Sequence, residues 1–111
     1  MTHSTRAKHY RRLADYIARQ PEENFYQRRW FCGSAACIAG HTALMLGWGH
    51  QRGKVDFDVC SIAANYLGLP DAEQGILFNP GALWQTRDAA VAELLRRARI
   101  EEKAARDTAH A

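Results

Sequence analysis

Proline and glycine are scarce, three and eight in 111 residues, so few points along the chain are forced to break a helix, and collagen-like or low-complexity architectures are excluded. No run of alternating apolar and polar residues is long enough to mark a half-buried strand, and no internal repeat is visible. A long hydrophobic run is also missing. The most apolar segment, residues 35–48, is interrupted by His41 and Thr42 and falls short of the roughly 20 residues needed to cross a bilayer. The start of the chain mixes His3, Arg6, Lys8, His9, Arg11 and Arg12 with no apolar core; neither a secretory signal nor a membrane anchor is expected, and a cytoplasmic location follows by default. Cysteine is sparse and odd in number, three in all, which in a reducing compartment argues for thiols or metal ligation over a disulfide framework. A transient Cys32–Cys37 bridge stays open.

What is present suffices for one core. Apolar residues make up 47% of the chain and include three Trp, four Tyr and four Phe, which excludes wholesale disorder and fits a single compact domain. The formal charge is +3, a mild bias beside that of a dedicated nucleic-acid binder. Its distribution is uneven: residues 1–29 hold seven cations against three anions.

Helical spacing of Tyr10, Leu13, Ala14 and Ile17 predicts a first helix, capped by Ser4 or Thr5 and stopped by Pro21 near Gln20. Its opposite face gathers Lys8, Arg11, Arg12 and Arg19, with Asp15 placed to pair at four-residue spacing. Residues 22–31 read as a polar turn entering the aromatic run Phe25, Tyr26, Trp30 and Phe31, interleaved with Arg28 and Arg29. Ser34 has the chemistry of an N-cap for a second, central helix over residues 35–46, rich in alanine and closed by Gly47. Asp56 or Asp58 caps a third helix to about Leu67, ended by Gly68. A short helical turn carries Ile76, Leu77 and Phe78 to the core, and Thr86 caps the last helix, whose buried stripe is Val91, Leu94, Leu95 and Ala98. Beyond Ala98 the stripe lapses, with Ile100 pointing away and Glu102 falling on it, so residues after about 99 are expected to extend or fray. The fold expected is all-α: one bundle of about four helices plus a short helical turn.

The segment Trp30-Phe31-Cys32-Gly33-Ser34-Ala35-Ala36-Cys37-Ile38-Ala39-Gly40-His41 resembles the signature of a group of small, uncharacterised phage and prophage proteins that share a Cys-Gly-Thr/Ser-x-x-Cys-Ile-Ala-Gly-His/Trp core. The resemblance extends through Tyr66-Leu67-Gly68-Leu69, Leu77-Phe78-Asn79-Pro80 and the helix led by Thr86. It implies a mobile-element origin and a small accessory protein acting in a host cell's cytoplasm, and it carries over no catalytic residue. The group has Trp in some members where His41 stands, and it does not clearly include Cys60.

Three chemistries stand beside the plain reading of these residues as core. Cys32, Cys37, His41 and Cys60 form a Cys3His set suited to a structural zinc ion, although the spacing is that of no standard finger. Cys32, just ahead of a helix start, has the setting of a lowered thiol pKa, with His41 or His50 as base, but no sheet is expected to present such a base. Lys8, Arg11, Arg12, Arg19, Arg28 and Arg29, with Tyr26 for stacking, form a basic face able to meet phosphates. The composition and the resemblance together favour a non-enzymatic module without cofactor. It would bind, and by inhibition modulate, a host protein or ribonucleoprotein machine, a defence system being one form, through those six cations. A nucleic-acid accessory role and the zinc module are the alternatives. Ile100 is a candidate self-association contact.

Overall fold

The computed structural model describes residues 1–25, 31–32, 35–47, 56–79 and 84–109. Thr2 opens the first helix, α1 (His3–Ala18), its hydroxyl accepting from the Thr5 N–H at 3.1 Å, so the cap lies two or three residues before the position expected. The spacing of Ala7, Tyr10, Leu13, Ala14 and Ile17 places all five on the buried side. A 3-10 turn, Glu22–Asn24, then turns the chain into Phe25, which is buried.

The central helix begins later than Ser34 predicts. Phe31–Cys32 and Ala35–Ala36 pair as two short antiparallel strands, β1 and β2, in the register Phe31↔Ala36 and Cys32↔Ala35. That pairing takes Ala35 and Ala36 out of the helix, and α2 runs only over Ile38–Met45, with Cys37 as N-cap. Its first six residues, Ile38 to Ala43, are all buried. Gly47 closes it at φ +90, a conformation open to glycine and costly to residues with a Cβ.

The third helix, α3 (Asp56–Leu67), packs on α2 and ends as expected. Gly68 takes φ +65 and the Leu69 N–H reaches back to the Ala64 carbonyl at 2.9 Å, the closure that a left-handed residue after a helix permits. The short turn is α4 (Asp71–Leu77), which buries Leu77 and delivers Phe78 to the core but leaves Ile76 about half exposed, contrary to the sequence reading. Trp84 donates its indole N–H to the Leu77 carbonyl at 2.9 Å.

The last helix, α5 (Arg87–Ala109), is capped by the Thr86 hydroxyl, which accepts from the Ala89 N–H at 3.1 Å. It buries Ala90, Leu94 and Ala98, with Val91 and Leu95 packed at the margin. The helix does not stop where its apolar stripe lapses; it continues to Ala109. The backbone of residues 99–109 therefore extends as ordered helix, and no fraying is seen before Ala109.

The dominant packing is α1 against α5. The two run antiparallel: Arg87 Nη1 donates to the Gln20 carbonyl at 3.0 Å at one end, and His3 Nδ1 meets Glu101 Oε2 at 2.5 Å at the other. His9 ties α1 to α3, its ring stacked on Tyr66 at 4.0 Å and its Nδ1 hydrogen-bonded to the Tyr66 carbonyl. The five helices enclose one apolar cluster, so the domain is all-α with a two-residue ladder as its sole described strand pairing. Among the described residues no helix is long and apolar enough to cross a membrane.

Candidate functional site

The thiol and imidazole of the central segment belong to the core. Cys37 is 1% exposed, and its Sγ accepts from the Gly40 N–H at 3.4 Å as the helix cap. Burial pushes this thiol up to about 11, against the pull of the Gly40 and Ala39 amides, so Cys37 is protonated at neutral pH and is no nucleophile. His41 is equally buried. Its Nε2–H donates to the Asn24 carbonyl at 3.0 Å, and the ring stacks on Phe25 and meets Tyr16 edge-on. Among the described residues no donor faces its Nδ1.

These placements bear on the two alternative chemistries of the central segment. Cys32 sits in β1 opposite Ala35, and α2 begins at Ile38 with Cys37 as its N-cap, so Cys32 is not the residue at the helix start; its side chain and His50 fall outside the described residues. Cys37, His41 and the half-buried Cys60 do not converge: among the described residues no three metal-ligating side chains come together. The zinc set is therefore not assembled by these three.

Burial also lowers the pKa of His41 below its ordinary 6.5, and the bond to Asn24 only partly offsets that. The unfolded chain then binds more protons than the folded one around and below pH 6.5, so stability is fully present above that pH and falls as pH is lowered. Urea denaturation at stepped pH should show this decline. His41→Gln, which keeps a donor for Asn24, should remove that part of the slope; an unchanged slope would place the titration elsewhere.

The polar chemistry lies outside, where α1 and α5 run side by side. Arg11 grips Glu102 through Nε and Nη2, both at 2.7 Å. Those bonds, joined by the nearby charges of Arg106 and Arg99, hold the Glu102 carboxyl below its usual range. Arg99, Glu102, Lys103 and Arg106 share one stripe of α5 by their three- and four-residue spacing, and the three cations are exposed. Lys8, one turn before Arg11 on α1, and Arg12 are exposed as well. The site is thus a basic face of two helices, with Glu102 the anion set among its cations.

Of the six cations expected from the sequence, Arg11 stands on this face against Glu102 and Lys8 is exposed one turn before it, while Arg12 is exposed on the flank of α1 toward α3, beside the Tyr66 hydroxyl. Arg19 is exposed but paired with Asp15 at 2.8 Å, the four-residue contact its spacing predicts. Arg28, Arg29 and Tyr26 lie outside the described residues. Sequence reading missed Arg99, Lys103 and Arg106 because it expected the segment after about 99 to extend or fray. Ile100 points outward at 53% exposure, as expected. No family model, curated protein or solved structure matches the chain.

Proposed function

We propose that the protein is a non-enzymatic binding module of phage or mobile-element type that engages a host macromolecular machine through the basic α1/α5 face and inhibits it. The observation that carries this reading is the gathering of Arg11, Arg99 and Arg106 around Glu102, on a surface continuous with Lys8 and Lys103. A field of one sign on a rigid two-helix platform steers an acidic partner and fixes its orientation. The buried, protonated Cys37 and the neutral His41 fit a structural role for the central segment and supply no reactive pair.

The test is charge reversal away from the core: Lys8→Glu, Arg12→Glu and Lys103→Glu together. Helical circular dichroism should be unchanged, because all three residues are exposed, while capture of the partner from host lysate and inhibition of the captured machine should both be lost. Retained inhibition by the triple variant would remove the basic face from the mechanism. The same cations favour nucleic acid as a second reading. It requires direct binding of a labelled duplex or single strand, with affinity falling steeply and log-linearly with salt, and a shallower slope in the triple variant.

A further inference from the structure

Between α1, α5 and the link from α3 to α4 lies an open-mouthed cavity of about 460 Å³, within the size range of small-molecule sites. Its wall carries three guanidinium groups, Arg6, Arg96 and Arg97, and two carboxylates, Glu73 and Glu101. Leu69, Pro70 and Ile100 supply an apolar side. None of these residues belongs to the basic face, and the cavity stands independently of it.

Three arginines on this helix pair show what satisfaction looks like. Arg11 and Arg96 each hold a carboxylate through Nε and Nη2 at 2.7 Å, and Arg97 donates to Glu93 at 2.8 Å and to Glu73 at 3.1 Å. Arg6 differs. Its only ion contact among the described residues is Nη1 to Glu101 Oε2 at 4.0 Å, and that oxygen already pairs with His3 at 2.5 Å. The Arg6 side chain is 29% exposed, and its Nε is buried with no acceptor. The exposed remainder of the side chain, whose nearest carboxylate oxygen is 4.0 Å away and already paired, is open to an incoming acceptor that would offset part of the cost of drawing this cation out of water. The fold makes specific room for it. Gly68 has φ +65, and a Cβ there would stand 2.9 Å from Arg6 Nε and 3.0 Å from Met1 Sδ, so the Arg6 side chain crosses to the cavity directly over the bare Gly68 backbone.

We propose that this cavity binds a small organic carboxylate, the acid group on Arg6 and a short apolar body against Leu69, Pro70 and Ile100. The partners of the wall select among anions: Arg96 and Arg97 are already held by Glu93 and Glu73, so Arg6 is the guanidinium left to meet a ligand, and one guanidinium answers one negative charge rather than the two of a phosphate. Arginine's planar fork matches a carboxylate, as the protein's own pairs demonstrate. The apolar body answers Ile100, a large side chain left 53% exposed at the rim.

Hexanoate is the probe, with hexanol and inorganic phosphate as comparators, each titrated into the full chain at physiological salt and followed by backbone amide shifts. Hexanoate should produce saturable shifts at Gly68, Leu69 and residues 96–101, and its affinity should exceed that of both comparators. Arg6→Gln should weaken it roughly tenfold. Ile100→Asp, at an exposed position that leaves folding intact, should weaken it as well and keeps the test available if Arg6→Gln disturbs the fold. Absent shifts, hexanol or phosphate binding equally well, or hexanoate affinity indifferent to both substitutions would each overturn the proposal.

Discussion

Glu93→Ala is expected to cost about 2–4 kcal/mol of folding stability, a little under the roughly 3–5 kcal/mol for stranding one charge of a buried pair, because Arg96 is half exposed to solvent. Glu93 is 9% exposed and accepts from Arg96 Nε and Nη2 at 2.7 Å each and from Arg97 Nε at 2.8 Å. Arg97 is nearly as buried, at 11%, and lies beside the Tyr10 hydroxyl. Without Glu93 its remaining carboxylate among the described residues is the half-exposed Glu73 at 3.1 Å. Burial alone would raise the Glu93 carboxyl, but the hydrogen bonds and charges of Arg96 and Arg97 outweigh burial and hold it below its ordinary 4.5. The sign follows: the unfolded chain binds the proton first, so this contribution is complete above pH 4.5 and is lost as pH falls through the lower folded value. Urea denaturation at pH 7 measures the loss in Glu93→Ala. Glu93→Gln, which keeps an acceptor without the charge, should fall between and should flatten the acid limb. A Glu93→Ala protein as stable as the parent would mean that Arg97 finds another acceptor on its own.

The acid response thus has two separable steps, one below 6.5 from His41 and one below 4.5 from Glu93, and neither was legible in the sequence. His41 was noticed as a possible ligand or base; its burial depends on Asn24, Phe25 and Tyr16 arriving from elsewhere in the chain. Glu93 sits at a position that helical spacing marks as inward, beside Leu94, yet a carboxylate there reads as a surface residue until Arg97 is seen behind it.

What periodicity can report, it reported. Tyr10, Leu13, Ala14 and Ile17 share the buried face of α1, and Leu94 and Ala98 that of α5, because a 3.6-residue repeat is written directly into residue order. The start of α2 failed for a different reason. A two-residue strand has no repeat to detect, and Ser34 is a better N-cap by chemistry than Cys37, so only the Phe31↔Ala36 pairing moves the boundary. Between the two outcomes open for the segment after about 99, helical extension holds, because an apolar stripe is one of several things that sustain a helix. Past Ala98, residues of high helix propensity such as Ala104 and Ala105, and cross-helix pairs from Arg11 to Glu102 and His3 to Glu101, carry it on to Ala109. Both sites draw on that segment, the basic face through Arg99, Glu102, Lys103 and Arg106 and the cavity through Ile100 and Glu101.

Leu13→Ala is the complementary experiment, with an expected loss of about 2–5 kcal/mol, the cost of a cavity left by a fully buried leucine. Leu13 is 0% exposed on the face of α1 that packs against α5, within the apolar cluster the helices share. At roughly 4–8 °C per kcal/mol for a domain of this size, the melting temperature should drop by at least about 8 °C. Ile100→Ala, at the exposed rim of α5, is the control and should leave the melting temperature nearly unchanged. Because α1 and α5 together carry the basic face and one wall of the cavity, Leu13→Ala should weaken partner inhibition and hexanoate binding in parallel as the temperature approaches its lowered midpoint. Charge reversal of the face should instead abolish inhibition and spare hexanoate, and Arg6→Gln should do the opposite. If Leu13→Ala melted like the parent protein, the contact between α1 and α5 would not be what holds the two surfaces in place.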